Sequence, residues 1–155
     1  MHSRALLLAT AATTLATSLP SRIEERGTTC YDGVYTIIAR GSEETQGQSI
    51  LEPIASAVAS AIPNSGQNEV VYPALLSFWN SAPQGVSNAQ QQLQDYTAAC
   101  PDSKIVIMGY SQGSYVMQAA LVGGNFSGES WEPIASNIAS NGTFLPLPTL
   151  TYLHV

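Results

Sequence analysis

A chain of 155 residues, 45% of them hydrophobic and only 10% charged, carries enough apolar material for one domain around one core and is too apolar to stay disordered. Its formal charge is −6, and its five Lys and Arg are scattered. Phosphate backbones demand clustered basic residues, so nucleic acid is excluded as a partner.

The N-terminal run "MHSRALLLATAATTLATSLP" joins a short basic n-region (Arg4) to an apolar stretch from Ala5 to about Ala16, with small residues Ala16 and Ser18 for cleavage. This is the pattern of a secretory signal over residues 1–18. The apolar stretch is shorter than the roughly 20 residues that span a bilayer, so the expected product is secreted, extracellular and free of the membrane after cleavage. Residues 19–29, with Arg22 and Arg26, fit either a short pro-segment or a solvated linker. An exported chain meets an oxidising compartment, and this one has two cysteines, Cys30 and Cys100. One disulfide between them is the economical expectation. Asn125 in "NFS" and Asn141 in "NGT" begin glycosylation sequons that fit the same route.

From residue 30 onward the pattern alternates. "VYTIIAR" (34–40) is a short β-branched run that predicts a buried strand, ended by the polar loop "GSEETQGQS". Ile50, Leu51, Ile54, Val58 and Ile62 recur at helical spacing before the stop signal "PNSG". "EVVYPA" (69–74) predicts a second strand, and "SNAQQQLQDYTAAC" (87–100) a polar amphipathic helix capped by Ser87 or Asn88. "KIVIMGY" (104–110) is apolar throughout, as a strand covered on both faces should be. "SQGSYVMQAALV" predicts a third helix, stopped by Gly123 and Gly124. Strand and helix alternating three times predict an α/β fold, with a central parallel sheet and right-handed crossovers. "LEPIASAVAS" (51–60) is echoed by "WEPIASNIAS" (131–140), expected to be two helices with similar starts. Residues 142–155 alternate Leu, Pro and Thr, which forbids a helix, and form an atypical tail.

Gly109-Tyr110-Ser111-Gln112-Gly113 matches G-x-S-x-G between an apolar strand and a helix. That context places a serine on a tight turn with glycines where side chains would clash. Ser111 is the candidate nucleophile. A helix beginning there points free N–H groups at a developing oxyanion, and the Gln112 N–H is the first expected donor. A second should come from the loop after the first strand, which opens at the same sheet edge; Ser42 in "RGSEE" is the candidate. Trp79 in "SFWNSAPQG" is either a rim residue of the cleft or a packing residue.

"YTIIARGSEE", "CPDSKIVIMGYSQG" and the paired Cys30 and Cys100 resemble the cutinase family of secreted serine esterases, which also contains acetylxylan esterases. The resemblance runs from about Cys30 to Asn141. It implies a three-layer, α/β-hydrolase-like sheet without a lid, Ser111 as nucleophile, and Ser42 and Gln112 as oxyanion donors. It also implies hydrolysis of ester substrates such as cutin, acetylated xylan or short acyl esters by a monomer that needs no metal or cofactor. Cys30 to Cys100 would match the family's first disulfide.

In the family the acid and base follow the nucleophile, on an Asp-bearing loop and a His near the C-terminus. Here no Asp follows Asp102, and the two histidines are His2 and His154. Glu129 and Glu132 are the carboxylates after Ser111, and Lys104 precedes the strand at the sheet's opposite end. A base must reach hydrogen-bond distance of the serine and be oriented by an acid, and no residue downstream matches either role. The sequence therefore predicts a cutinase-like domain over 30–141 with an altered or truncated C-terminus. Its last strands would be missing and "KIVIM" left at a sheet edge. Two functions follow from this pattern: an ester hydrolase acting through an acyl-enzyme at Ser111, or a catalytically inactive cell-wall-polymer-binding protein.

Overall fold

The run Val34–Ala39 forms β1, and all six of its residues are buried. In the computed structural model, which describes residues 28–126 and 128–134, this strand is the middle of a parallel sheet ordered β2-β1-β3. β2 is Gly66–Glu69 and β3 is Lys104–Gly109. Successive side chains of a strand face opposite sides. Tyr35, Ile37 and Ala39 accordingly enter one core layer, and Ile38 enters the other. α1 (Glu52–Ala61) covers the Ile38 side, while α2 (Phe78–Ala99) and α3 (Gln112–Val122) pack together on the other. The fold is the expected three-layer α/β arrangement. Ile37, Ile38, Leu93 and Val116 are fully buried, and each such side chain contributes about 1.5–3 kcal/mol.

Three details differ from the sequence reading. The second strand is the polar "GQNE", paired from Tyr35↔Gly66 to Ile38↔Glu69, and not the apolar run 69–74. The edge position explains it, since a strand with one flank open tolerates Gln67 and Asn68. The run after it leaves the sheet through a last bond from Val70 N–H to Ile38 O, 2.7 Å, and carries the chain toward the loop edge. α2 starts at Phe78, nine residues before the expected cap, and continues through Pro83. Packing overrides the breaker signal there, because Ala82, Pro83, Val86, Ala89 and Leu93 bury one face. On α1 and at its ends, Leu51, Ala55 and Val58 meet the sheet, while Ile50, Ile54 and Ile62 are exposed. The small Ala55 lets the helix lie close to β1, and the predicted isoleucine stripe is turned outward.

β3 keeps the predicted bounds to within a residue, but Ile105, Val106 and Ile107 are only partly buried. Among the described residues β1 is its one strand neighbour. A short antiparallel pair, β4 (Gly124–Phe126) and β5 (Glu129–Trp131), follows α3. The second copy of the internal echo thus begins as the end of β5, and its remainder, 135–140, lies outside the described residues. The signal and linker segment before Thr28, Asn141, the tail 142–155, His2 and His154 lie outside them too. Cys30 and Cys100 are disulfide-bonded with their Cα atoms 5.4 Å apart, which ties the entry of β1 to the end of α2. Among the described residues no helix is long and apolar enough to cross a membrane.

Candidate active site

Parallel strands deliver the loops that follow them to one edge. β1 and β3 pair through Ala39↔Gly109, and the Tyr110 N–H continues the pairing to Ala39 O at 3.1 Å. Gly41-Ser42 and Tyr110-Ser111 therefore emerge side by side. The Tyr110 ring lies against Gly41, where a Cβ would touch it.

Ser111 has φ 51° and ψ −118° and caps the N-terminus of α3. This backbone conformation is disfavoured for any residue with a Cβ and costs on the order of 1–3 kcal/mol. It is sustained by what flanks it. A Cβ on Gly109 would run into the backbone of Gly113 and Ser114, and one on Gly113 would run into the backbone of Ala39 and Arg40. Both glycines of the motif are required by close approach of backbone to backbone. The Ser111 side chain is left exposed at the sheet edge. Replacing Ser111 by glycine is expected to raise stability by about 1 kcal/mol, because the relieved strain exceeds glycine's extra chain entropy. Urea denaturation of the variant beside the parent checks it, and a variant less stable than the parent would show that the turn holds no strain.

Gln112, the first residue of α3, is buried. Its side chain donates from Nε2 to Leu75 O at 2.9 Å and accepts from the Ser81 hydroxyl at 3.0 Å. Ser81 Oγ in turn accepts the Leu75 N–H at 3.0 Å. This closed set fixes the loop 74–77 against the helix start and leaves the Gln112 N–H, in the first turn, pointing out of the helix. No described residue accepts from it.

The Ser42 turn is held from several sides. Glu44 N–H donates to Gly41 O at 3.3 Å, and the Glu44 carboxylate accepts from Gly41 N–H at 2.6 Å, Ser49 Oγ at 3.1 Å and Ile50 N–H at 2.9 Å. Glu43, with φ 63°, donates to Ala74 O at 2.7 Å, and its carboxylate accepts from Leu76 N–H at 3.1 Å. Arg40 is buried. Its guanidinium donates to Glu44 O at 2.8 Å and to Gln46 Oε1, Val70 O and Tyr72 O. It also lies 4.8 Å from the centre of the Tyr72 ring. Carbonyl dipoles and a π face thus meet a charge that would be costly to bury alone. Burial pushes the Tyr72 phenol above its usual range, against the opposing pull of Arg40. It stays neutral and donates its proton to Arg40 O.

The structure thus brings Ser42, Ser111 and Gln112 to one edge. Sequence reasoning had passed over Ser81, Arg40, Glu43 and Glu44, the residues that hold them there. A lone Arg at the end of a fully buried strand was the available signal. The carboxylates weighed downstream do not join this group. Glu132 lies beside the last turns of α3, its carbonyl accepting from Gln90, which also reaches Ala120. That is on the order of 12 Å along the helix from its start. Glu129 is exposed in β5. Lys104 begins β3, roughly 20 Å along the strand from the elbow. Among the described residues there is no histidine. Trp79 packs: its ring stacks on Phe126 at 4.5 Å, with 63% of the residue exposed.

The sequence profile of the cutinase family matches residues 29–143. The chain belongs to the cutinase family. Acetylxylan esterase 2 of Talaromyces purpureogenus is 28% identical over 116 residues, 70% of this chain and 50% of the relative. Cutinase 11 of Verticillium dahliae is 30% identical over 136 residues, 83% of this chain and 44% of the relative. The catalytic core domain of acetyl xylan esterase from Trichoderma reesei superposes with a TM-score of 0.65 at 26% identity, over 74% of this chain and 61% of that one. This cutinase-family chain spans about half the length of the curated relatives it matches.

Proposed function

We propose that the chain is an exported, monomeric carboxylic ester hydrolase in which Ser111 attacks the acyl carbon. The ester C–O bond breaks, the alcohol leaves with the serine proton, and water then cleaves the acyl-enzyme to release the acid and restore Ser111. The N–H groups of Ser42 and Gln112 hold the oxyanion. The observation that carries this reading is the Ser111 backbone at φ 51° and ψ −118°, a strained turn maintained by Gly109 and Gly113. Strain of this kind persists where the surroundings over-determine it, and it clusters at reactive sites. Esters of plant polymers and short acyl esters are the proposed substrates, in keeping with the acetylxylan esterases and cutinases that the chain resembles.

A second reading is favoured by one observation: the described residues contain no imidazole to take the Ser111 proton. In that reading the cleft is kept and binds polymer without turnover. A fluorophosphonate probe separates the two, because it reacts with an activated serine hydroxyl. The hydrolase reading expects strong labelling of the full-length chain, lost in Ser111→Ala, and release of p-nitrophenol from p-nitrophenyl acetate. Labelling no stronger in the parent than in Ser111→Ala removes the hydrolase reading and leaves the polymer-binding one.

A further inference from the structure

A concavity lies away from Ser111, between α2 and β2. Its volume is about 480 Å³, and its lining includes Tyr35, Asn68, Asn88, Gln91, Gln92 and Asp95. Asn88, Gln91, Gln92 and Asp95 recur at spacings of three, one and three along α2, so they form one stripe of the helix. Asn68 faces them from β2. Ligand clefts of this size are usually lined by apolar side chains with a few placed polar groups; here Tyr35, Val71 and Tyr96 supply apolar surface and four of the ten lining residues carry side-chain amides.

Each amide is half used. Asn88 Nδ2 donates to Val71 O, Gln91 Nε2 donates to Asp95 Oδ1 at 2.7 Å, and Gln92 Nε2 donates to the Tyr35 hydroxyl at 3.3 Å. Asn68 Oδ1 accepts the Glu69 N–H at 2.9 Å. An amide carries two donor hydrogens and an acceptor oxygen. The internal bonds set each side chain's orientation, leaving the oxygens of Asn88, Gln91 and Gln92 and the NH₂ of Asn68 without a partner among the described residues. Groups held in place before binding lose little freedom on binding. Asp95 is the carboxylate of the α2 stripe; Glu69 also lines the concavity, its Oε2 accepting from Gln46 and Gly47 and its buried Oε1 without a partner among the described residues. The row thus offers acceptor oxygens together with the second N–H of Asn88, Gln91 and Gln92 and the NH₂ of Asn68; such a mixed set suits a neutral ligand rich in hydroxyls, and the Asp95 charge disfavours an anionic one.

The concavity reaches toward the loop edge. Val71, another of its lining residues, is four residues before Leu75, whose carbonyl holds the Gln112 side chain. Four residues span at most about 14 Å. We propose that this flank is a binding subsite for a neutral, hydroxyl-rich polysaccharide, gripping the chain that bears the ester while Ser111 faces the acyl group. The assignment rests on the ester hydrolase reading above for its purpose, but the binding itself does not require turnover.

Affinity electrophoresis through gels containing soluble arabinoxylan tests it, with polygalacturonate as the anionic control. The parent and Ser111→Ala are expected to be retarded equally by arabinoxylan and not by polygalacturonate. Gln91→Ala combined with Asp95→Ala, and separately Asn68→Ala, should weaken retardation, the double variant by roughly tenfold for two lost hydrogen bonds. Far-UV circular dichroism verifies that each variant is folded, and either one suffices for the comparison. No retardation of the parent, or retardation unchanged in a folded variant, overturns the subsite. Retardation by arabinoxylan without probe labelling at Ser111 would keep the subsite and remove the hydrolase reading.

Discussion

Replacement of Gly113 by alanine is expected to lower stability by roughly 3 kcal/mol or more and to abolish probe labelling at Ser111. The added Cβ would fall on the carbonyl of Ala39 and near that of Arg40. Both obstacles are backbone, so no rotamer change makes room. β1 cannot retreat, because it is held by β2 on one flank and by β3 on the other. α3 would have to move away instead, taking with it the Gln112 side chain that anchors Leu75 and Ser81. The same displacement separates Ser111 from the Ser42 turn, so stability and reactivity fall together. Gln118→Ala, on the exposed face of the same helix, serves as the control and should stay within about 0.5 kcal/mol of the parent. If Gly113→Ala unfolds at the parent's urea midpoint, the close contact of helix start and strand end is wrong.

Breaking the Cys30–Cys100 disulfide, by the double Ser substitution or by reductant, is expected to cost about 4 kcal/mol through the entropy of the released loop. The crosslink spans a sequence separation of 70 and encloses β1, α1, β2 and α2. Domains of this kind have only about 5–15 kcal/mol to lose. With a urea m-value of about 2 kcal/mol/M the midpoint should fall by about 2 M. The surroundings bear on the outcome. Tyr31, Tyr35 and Tyr96 stack beside the bridge, Tyr35 and Tyr96 at 3.8 Å, and the Tyr96 hydroxyl accepts the Tyr31 N–H at 3.3 Å. That stack keeps the two ends together in the folded state, so the loss should arise in the unfolded ensemble, with little change in the native spectrum. Equal midpoints for oxidised and reduced protein would show that the bridge adds nothing beyond the stack.

The parts of the fold that were legible in the sequence are those where local chemistry and burial agree. β1 and β3 are apolar runs whose neighbours are mostly polar, and the glycines around Ser111 have a direct steric reason. The elbow was therefore found from the five residues Gly109 to Gly113 and their flanks. β2 was misplaced because its partner, and not its composition, makes Gly66–Glu69 a strand. α2 was begun too late because Pro83 and Gly85 carry breaker signals that burial of Ala82, Val86 and Leu93 overrules. The support of the site left little trace in the sequence beyond the lone Arg40 at the end of a buried strand. Arg40, Ser81 and Glu43 act across separations set by the fold, as with Ser81 and Gln112, 31 residues apart, and Glu43 and Leu76, 33 apart, and no local pattern announces such a pair.

The central position of β1 has a consequence in time. The strand made first is flanked on both sides by strands made later, and its pairing to β3 begins at Val34↔Lys104, about seventy residues downstream. At about 5–20 residues per second, the most deeply buried strand waits several seconds, on the order of 4–14, before its second flank exists. Cys30 likewise has no partner until Cys100 has been made. During synthesis the nascent chain therefore presents an apolar strand and a free thiol together, and both are retired in the same few residues of growth.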